Sequence, residues 1–115
     1  MVFEKLFAKY DRLLLIDTVT TGLDYARDEI IELSAVVVEC VNATAQVVRE
    51  YDELIRLSPG GFIPEKIVEL TGITNEAVRE RGISKEQAAA DAADMIRGNT
   101  LILAYNAHFD MSFLF

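Results

Sequence analysis

The hydrophobic residues of the chain fall into short segments that are separated by turn-forming residues. Segment 12–17 contains four consecutive large aliphatic residues, which predicts a buried strand closed by a turn at 20–22. Segments 29–40 and 45–57 predict two further strands, and the breaker cluster 58–61 ends the second of them. Three consecutive strands with short links predict an antiparallel meander.

Helix signals follow this meander. A proline can open a short helix over 64–70, and Thr74 can cap a second one over 75–81. The most clearly marked helix is alanine-rich, opens with a capping box at Ser84 and is predicted to run to Arg97.

Both ends of the chain carry apolar residues at helical spacing. Residues 1–11 predict a lead-in helix, and after a short strand at 100–105 a last helix is predicted from Ala107, with Asn106 as its cap. This last segment has no helix stop signal, which predicts that 1–115 is a single domain truncated at its C-terminal end. The order of elements predicts an α/β fold in which a mixed sheet has flanking helices.

Composition and charge narrow the function classes. The chain has 19 acidic and 11 basic residues and a formal charge of −8, which argues against a general DNA coat protein. The single cysteine, Cys40, lies in an apolar run and is expected to be a buried thiol in a reducing compartment. No apolar stretch reaches the roughly 18 residues that span a bilayer, so we expect a cytoplasmic protein without a membrane partner.

Two aspartates are candidates for chemistry. Asp17 ends the first apolar strand on the face of Leu13 and Leu15, where a carboxylate needs a hydrogen bond, an ion partner or a cation. The sequence leaves two roles for Asp17, an Asx-turn or capping residue and a metal ligand. Asp110 lies one helical turn after Asn106, on the same face of the predicted helix. It is either a metal ligand or a residue of the first turn that the helix dipole favours.

Four segments follow one another in a recognisable order. They read LIDTVTTGLD at 15–24, DEIIELSAV at 28–36, IP followed by LTGIT within 63–74, and AYNAHFD at 104–110. The first and last resemble the D-x-E-T-T-G and H-N-A-x-F-D motifs of the DnaQ-like, or DEDD, family of 3′-5′ exonucleases. This family includes the proofreading epsilon subunit of bacterial DNA polymerase III, and the middle segments resemble its second strand and its I-P…L-T-G-I-T stretch.

The resemblance implies a ribonuclease-H-like fold and hydrolysis of 3′-terminal nucleotides with two divalent metal ions, Mg²⁺ or Mn²⁺. By position, Asp17 and Asp110 match catalytic, metal-binding residues of the family. It also implies the 3′ end of single-stranded DNA and a DNA polymerase subunit as partners. The residues that match the family's pocket for the terminal nucleotide are Thr20, Thr21, Gly22, Thr71, Gly72, Asn106 and Phe109.

The chain departs from the family pattern at two points. Val19 stands where the first motif has glutamate, and the chain ends before the third motif with its histidine and aspartate. His108, the only histidine, occupies the variable position of the second motif and is assigned a surface or helix-start role. The alternative hypothesis is therefore an inactive module for nucleotide binding or protein interaction, and self-association of a partial domain is a third.

Overall fold

A computed structural model describes residues 5, 7–24 and 26–104. Within this part of the chain, the strands form one mixed sheet in the order β3-β2-β1-β4. The strands β1 to β3 are antiparallel neighbours, and β4 lies parallel to β1. The strands are β1 (Arg12–Thr20), β2 (Ile30–Val41), β3 (Thr44–Leu54) and β4 (Thr100–Ala104), and the helices are α1 (Glu65–Thr71), α2 (Asn75–Arg81) and α3 (Lys85–Met95).

The helices begin where the sequence predicts. The side chains of Thr74 and Ser84 each accept a hydrogen bond from a backbone N–H three residues ahead, at 3.0 Å, which caps α2 and α3. Gly72 ends α1 in the left-handed conformation, with φ of 75°. Helix α3 ends at Met95 instead of Arg97, because Ile96 already leaves helical geometry and closes the last turn.

Two strands differ from the prediction. Strand β1 continues through Thr18 and Val19 to Thr20, because these residues pair with β2 before the turn begins. Strand β3 ends at Leu54, and the next residue, Ile55, forms a single parallel bridge with Ile83 instead. The strand shortens because the chain there turns towards the loop between α2 and α3.

The main hydrophobic core lies between α3 and one face of the sheet. Alternate residues of β1 and β2, among them Leu14, Ile16 and Leu33, are buried against Ala92 and Met95 of α3. A second core joins the other face of the sheet to α1 and α2. Its buried residues are Ile31, Ile63 and Val78, and Val19 packs against them.

Cys40 is exposed, which corrects the expectation of a buried thiol. The apolar run that suggested burial ends at Val38, and Cys40 lies in the last part of β2, paired with Ala45 next to the hairpin turn.

The ends of the chain are described only in part. Lys5 and Phe7 are helical but residues 8–11 are not, which corrects the end of the predicted lead-in helix. Residues 1–4 and 6 and the predicted helix from Ala107 lie outside the described residues. No described helix is long and apolar enough to cross a membrane.

Candidate functional site

Asp17 lies near the middle of the described sheet, on the face opposite α3. It alternates with the buried Leu14 and Ile16 and is itself exposed. Its carboxylate accepts a hydrogen bond from the backbone N–H of Thr18 at 3.0 Å. The side chain borders an open hollow of about 410 Å³ whose walls include Leu15 and Ser34. Asp17 is therefore available to a ligand from solvent.

Strand β4 ends beside Asp17, while β1 continues past it. Ile16 of β1 forms the last pair with β4, at Ala104, and β1 continues in the same direction to Thr20. In α/β sheets, ligands bind outside the carboxyl ends of strands, where neighbouring connections diverge. Here β1 has an antiparallel neighbour on one side and a parallel neighbour on the other. Asp17 lies directly after the last pair between β1 and β4, beside the carboxyl end of β4.

The turn after β1 is held by one carboxylate. Asp28 accepts hydrogen bonds from the Thr21 hydroxyl at 3.0 Å and from the backbone N–H of Asp24 at 2.9 Å. The same carboxylate lies over Gly22, where an added Cβ would come within 2.4 Å of Asp28 Oδ2. Thr20 closes the turn by donating its hydroxyl to the carbonyl of Gly22. The turn next to Asp17 thus has one well-defined shape.

Glu29 fixes this turn to the rest of the fold. Its backbone exchanges hydrogen bonds with Thr21, at 2.9 and 3.0 Å, and its carboxylate accepts from the Ser58 N–H and hydroxyl at 3.1 and 2.8 Å. Lys85, the first residue of α3, forms an ion pair with it. Burial alone would raise the pKa of Glu29, but hydrogen bonds from Lys85 and Ser58 lower it overall. The turn is therefore linked to α3 through a charged contact.

Two further carboxylates lie on the same face as Asp17. Ser34 pairs with Asp17 on one side and Asp52 on the other, and its hydroxyl donates to Asp52 Oδ1 at 3.1 Å. Glu32 follows Ser34 on this face, two residues back along β2. Burial raises the pKa of Glu32 to about 7, and the Asp52 hydrogen bond and the charges of Asp52 and Asp17 act in the same direction.

Glu32 should make the stability of the fold depend on pH. Its folded-state pKa of about 7 lies above its ordinary value of 4.5, so the unfolded chain loses this proton first and stability falls as the pH rises between these values. We expect Glu32→Gln to raise the melting temperature at pH values above 7 by about 4 °C, equivalent to about 1 kcal/mol after solvent screening. Below pH 4.5 it should change little.

The measurement is thermal unfolding followed by circular dichroism at both pH values. Glu69→Gln on the exposed side of α1 is the matched control and should show no gain that depends on pH. An equal gain for Glu32→Gln at both pH values would contradict the raised pKa.

Val19 offers no oxygen ligand on this face. It is half-buried against the second core and lies directly opposite Glu32 in the pairing of β1 with β2. Divalent metals of the magnesium type bind oxygen ligands, which Asp17 and Glu32 offer and Val19 does not. Among the described residues, no group of three or more His, Cys, Asp or Glu side chains is arranged around a metal position. The described residues thus offer two oxygen donors on this face and do not by themselves form a metal site.

The other candidate residues differ in what their side chains do. Thr20 and Thr21 are buried, and their hydroxyls serve the turn. Thr71 donates its hydroxyl to the Ile67 carbonyl at 2.7 Å within α1, whereas Gly72 borders a second hollow beside Glu32 and Asp52. The remaining candidates, Asn106, Phe109 and Asp110, lie outside the described residues.

Sequence reasoning missed Asp28, Glu32 and Asp52. Asp28 and Glu32 lie within a matched segment, 28–36, but nothing in their spacing shows which side chain reaches the turn or the Asp17 face. These residues can be identified only from the strand register, that is, from which residues of β1, β2 and β3 pair with one another.

A family model described as Exonuclease matches residues 14–114. The DNA polymerase III PolC-type of Thermotoga petrophila is 38% identical over 101 residues, which cover 88% of this chain and 7% of that protein. The 3'-5' exonuclease DinG of Bacillus subtilis is 32% identical over 104 residues, which cover 90% of this chain and 10% of that protein. The chain thus spans about a tenth or less of the length of these relatives.

Solved structures agree on the fold. Exonuclease I of E. coli in complex with a dT13 oligonucleotide aligns with a TM-score of 0.78 at 22% identity, over 90% of this chain and 22% of that one. Exonuclease I from Methylocaldum szegediense aligns with a TM-score of 0.78 at 18% identity, over 89% of this chain and 22% of that one. The mixed sheet with helices on both faces is accordingly a ribonuclease H-like fold. With the family match over nearly its whole length, the chain belongs to the exonuclease family related to the exonuclease region of DNA polymerase III.

Proposed function

We propose that this chain is a 3′-5′ exonuclease module that holds the 3′ end of single-stranded DNA at the sheet face around Asp17, with a strongly weakened hydrolytic step. The observation that carries the proposal is the exposed Asp17 on the sheet face beside the end of β4, in a chain of the exonuclease family. Val19, at the glutamate position of the first motif, supports the weakened step because a hydrocarbon neither binds metal nor accepts a proton.

The proposed metal ligands are Asp17 and Asp110, and the ions are Mg²⁺ or Mn²⁺, two of them by family resemblance. Such an ion, when bound, activates water and stabilises negative charge on a departing oxygen. The position of Asp17 supports this role, because its carboxylate is exposed and has only one described hydrogen bond, from the Thr18 N–H. Ala104 ends β4 next to Ile16, six positions before Asp110 in the sequence.

The residues around Asp17 have separate proposed tasks. The turn of Thr20, Thr21 and Gly22 keeps its shape through Asp28 and presents backbone groups to the terminal nucleotide. Gly72 borders the hollow beside Glu32, where the lack of a side chain leaves space for the nucleotide. Asn106 and Phe109 complete this pocket by family resemblance. Ordered backbone and small residues hold a ligand without large rearrangement.

The relatives suggest where the module works. Exonuclease I was crystallised with dT13, and other relatives are PolC-type DNA polymerase III proteins. We therefore propose single-stranded DNA as the ligand, a DNA polymerase subunit as partner and the cytoplasm, where bacterial DNA is copied, as the location.

A second candidate is a module with no hydrolysis at all, which binds nucleotides or another protein. Val19 favours it, since the position opposite Glu32 carries no ligand. The two candidates differ in whether slow, metal-dependent shortening of DNA can be measured.

The test uses 5′-labelled single-stranded DNA with Mg²⁺ or Mn²⁺, and separates binding, by fluorescence anisotropy, from shortening, by gel electrophoresis. We expect binding that needs a free 3′ end, and shortening far below the turnover of about one to a thousand per second typical of enzymes. Asp17→Ala and Asp110→Ala should abolish any shortening, whereas Asp11→Asn, an exposed carboxylate outside the site, should not.

Rapid shortening of the DNA that is lost in Asp17→Ala would contradict the proposal that the hydrolytic step is weakened. Binding without shortening at any metal concentration would support the second candidate. Absence of binding to any 3′ end would overturn the proposed function.

A further inference from the structure

A second hollow lies beside the Asp17 face, between the sheet and α2. Its volume is about 320 Å³. The sheet contributes Glu32, Asp52 and Leu54, and the opposite wall includes Gly72 and Arg81. A Cβ added at Gly72 would meet no atom within 4 Å, so this wall leaves room for a bulky ligand.

This hollow is close to Asp17. Ser34 is the common neighbour, since it pairs with Asp17 in β1 and with Asp52 in β3. Two strand spacings therefore separate Asp17 from Asp52, a distance of about 10 Å. A single extended strand of nucleic acid that lies at Asp17 can reach the hollow.

The charge of this surface raises a problem for a polyanion. Asp17 and Asp52 repel phosphate, and the whole chain carries a formal charge of −8. Several basic side chains among the described residues already form an ion pair with a carboxylate. They are Arg12, Arg27, Arg49, Lys85 and Arg97. A strand at this site needs a cation that is still available.

Arg81 is such a cation. It is exposed, it borders the hollow, and within the described part of the chain it has no ion pair. A structural role also exists, because a basic residue in the last turn of α2 stabilises the helix dipole. Arg79 shares that role, the same turn and the same charge, but does not border the hollow.

We propose that Arg81 binds a backbone phosphate of the DNA strand whose 3′ end lies at Asp17. A guanidinium group offers a planar pair of N–H donors that matches two phosphate oxygens. Phosphate contacts fix the position of a strand without reading its sequence, as a module that accepts any 3′ end requires. This inference rests on the proposed function and adds a strand-binding residue to it.

The test is fluorescence anisotropy with 5′-fluorescein-labelled oligo(dT) and oligo(dA) of about twelve nucleotides, in EDTA to prevent hydrolysis. Salt is varied from about 50 to 200 mM, because each phosphate contact on a single strand contributes about 0.7 to the slope of log K against log salt. For Arg81→Ala we expect a Kd about fivefold higher at low salt and a slope smaller by about 0.7, equally for both sequences. Arg81→Lys should retain most of the slope, and Arg79→Ala should match the wild type.

The outcomes separate the two proposals. If the wild type binds and Arg81→Ala behaves like Arg79→Ala, the phosphate contact is wrong while the proposed function stands. A loss confined to one sequence would indicate a base contact and would also overturn the inference. If the wild type binds neither oligonucleotide in EDTA but does so with Mg²⁺ or Mn²⁺ and the effect of Arg81→Ala is absent there, only this inference fails; if it binds neither with nor without metal, the proposed function fails as well. Equal melting temperatures of the two arginine variants exclude unfolding of α2 as the cause of a loss.

Discussion

Replacing Val19 with glutamate is expected to make the stability of the fold depend on Mn²⁺. Without metal, Val19→Glu should lower the free energy of unfolding by about 2 kcal/mol. The variant removes a side chain that packs against the second core and sets a carboxylate directly opposite Glu32. With Mn²⁺ at about one hundred times its Kd, binding should return about 2.7 kcal/mol, or roughly 10 °C in melting temperature.

The same variant should restore hydrolysis. A second carboxylate next to Asp17 completes the pair that the first motif of the family supplies. We expect shortening of 5′-labelled single-stranded DNA to increase about a hundredfold, which corresponds to about 2.7 kcal/mol of transition-state stabilisation. Gel electrophoresis with Mn²⁺ measures this rate alongside the thermal unfolding experiment.

Two control variants separate metal binding from general damage. Val19→Gln causes a similar loss of packing without adding a charge, so its melting temperature should fall and should not respond to Mn²⁺. Adding Asp17→Asn to Val19→Glu should remove the response to Mn²⁺ because one of the paired ligands is lost. If Val19→Glu unfolds at the same temperature with Mn²⁺ as with EDTA, residue 19 is not placed to complete a metal site.

Gly22→Ala is expected to lower the free energy of unfolding by about 2 kcal/mol. Its methyl group would come within 2.4 to 2.9 Å of three atoms of the Asp28 carboxyl group. That carboxylate cannot move freely, because it accepts hydrogen bonds from Thr21 and Asp24. The variant must therefore break these bonds or distort the turn beside Asp17. Denaturation in urea measures the loss.

A double-mutant cycle tests this cause. In Asp28→Ala the space above residue 22 is open, so adding Gly22→Ala to it should cost at least 1 kcal/mol less than in the wild type. Gly60→Ala is a useful comparison, because Gly60 has φ of 81° and open space around it, so its cost of about 1 kcal/mol is purely conformational. If the losses of unfolding free energy from Gly22→Ala and Asp28→Ala simply add in the double variant, the contact with the Asp28 carboxylate is not the reason for glycine at position 22.

The local elements of this fold were predictable because their signals are local. Thr74 and Ser84 cap their helices through hydrogen bonds to residues three positions ahead, and Gly72 ends α1 in a conformation that glycine adopts easily. The ribonuclease H-like fold and the exonuclease family followed from the ordered motifs and are confirmed. The roles of Asp17 and Asp110 stay predictions.

The acidic neighbours of Asp17 were not predictable because they depend on strand register. The β2–β3 turn has no glycine, yet Asn42 and Ala43 both have positive φ, of 52° and 63°. Further along, an irregularity between Val37 and Val38 shifts the pairing of β2 with β3 by one residue. Counting from the turn without this shift would set Tyr51 opposite Ser34, whereas Asp52 occupies that position. One added residue thus decides which side chain joins the Asp17 face.

The parallel pairing of β1 with β4 also determines when the site can form. Strands β1, β2 and β3 are adjacent in sequence and can pair as soon as they are synthesised, but Arg12 meets Thr100 only after the rest of the described chain has emerged. Pairing across so long a loop is slow, and β4, a five-residue strand at the edge of the described sheet, opens easily. Amide hydrogens of β4 should therefore exchange before those of the meander. We therefore expect the proposed 3′-end site to form in the last step of folding and to open first.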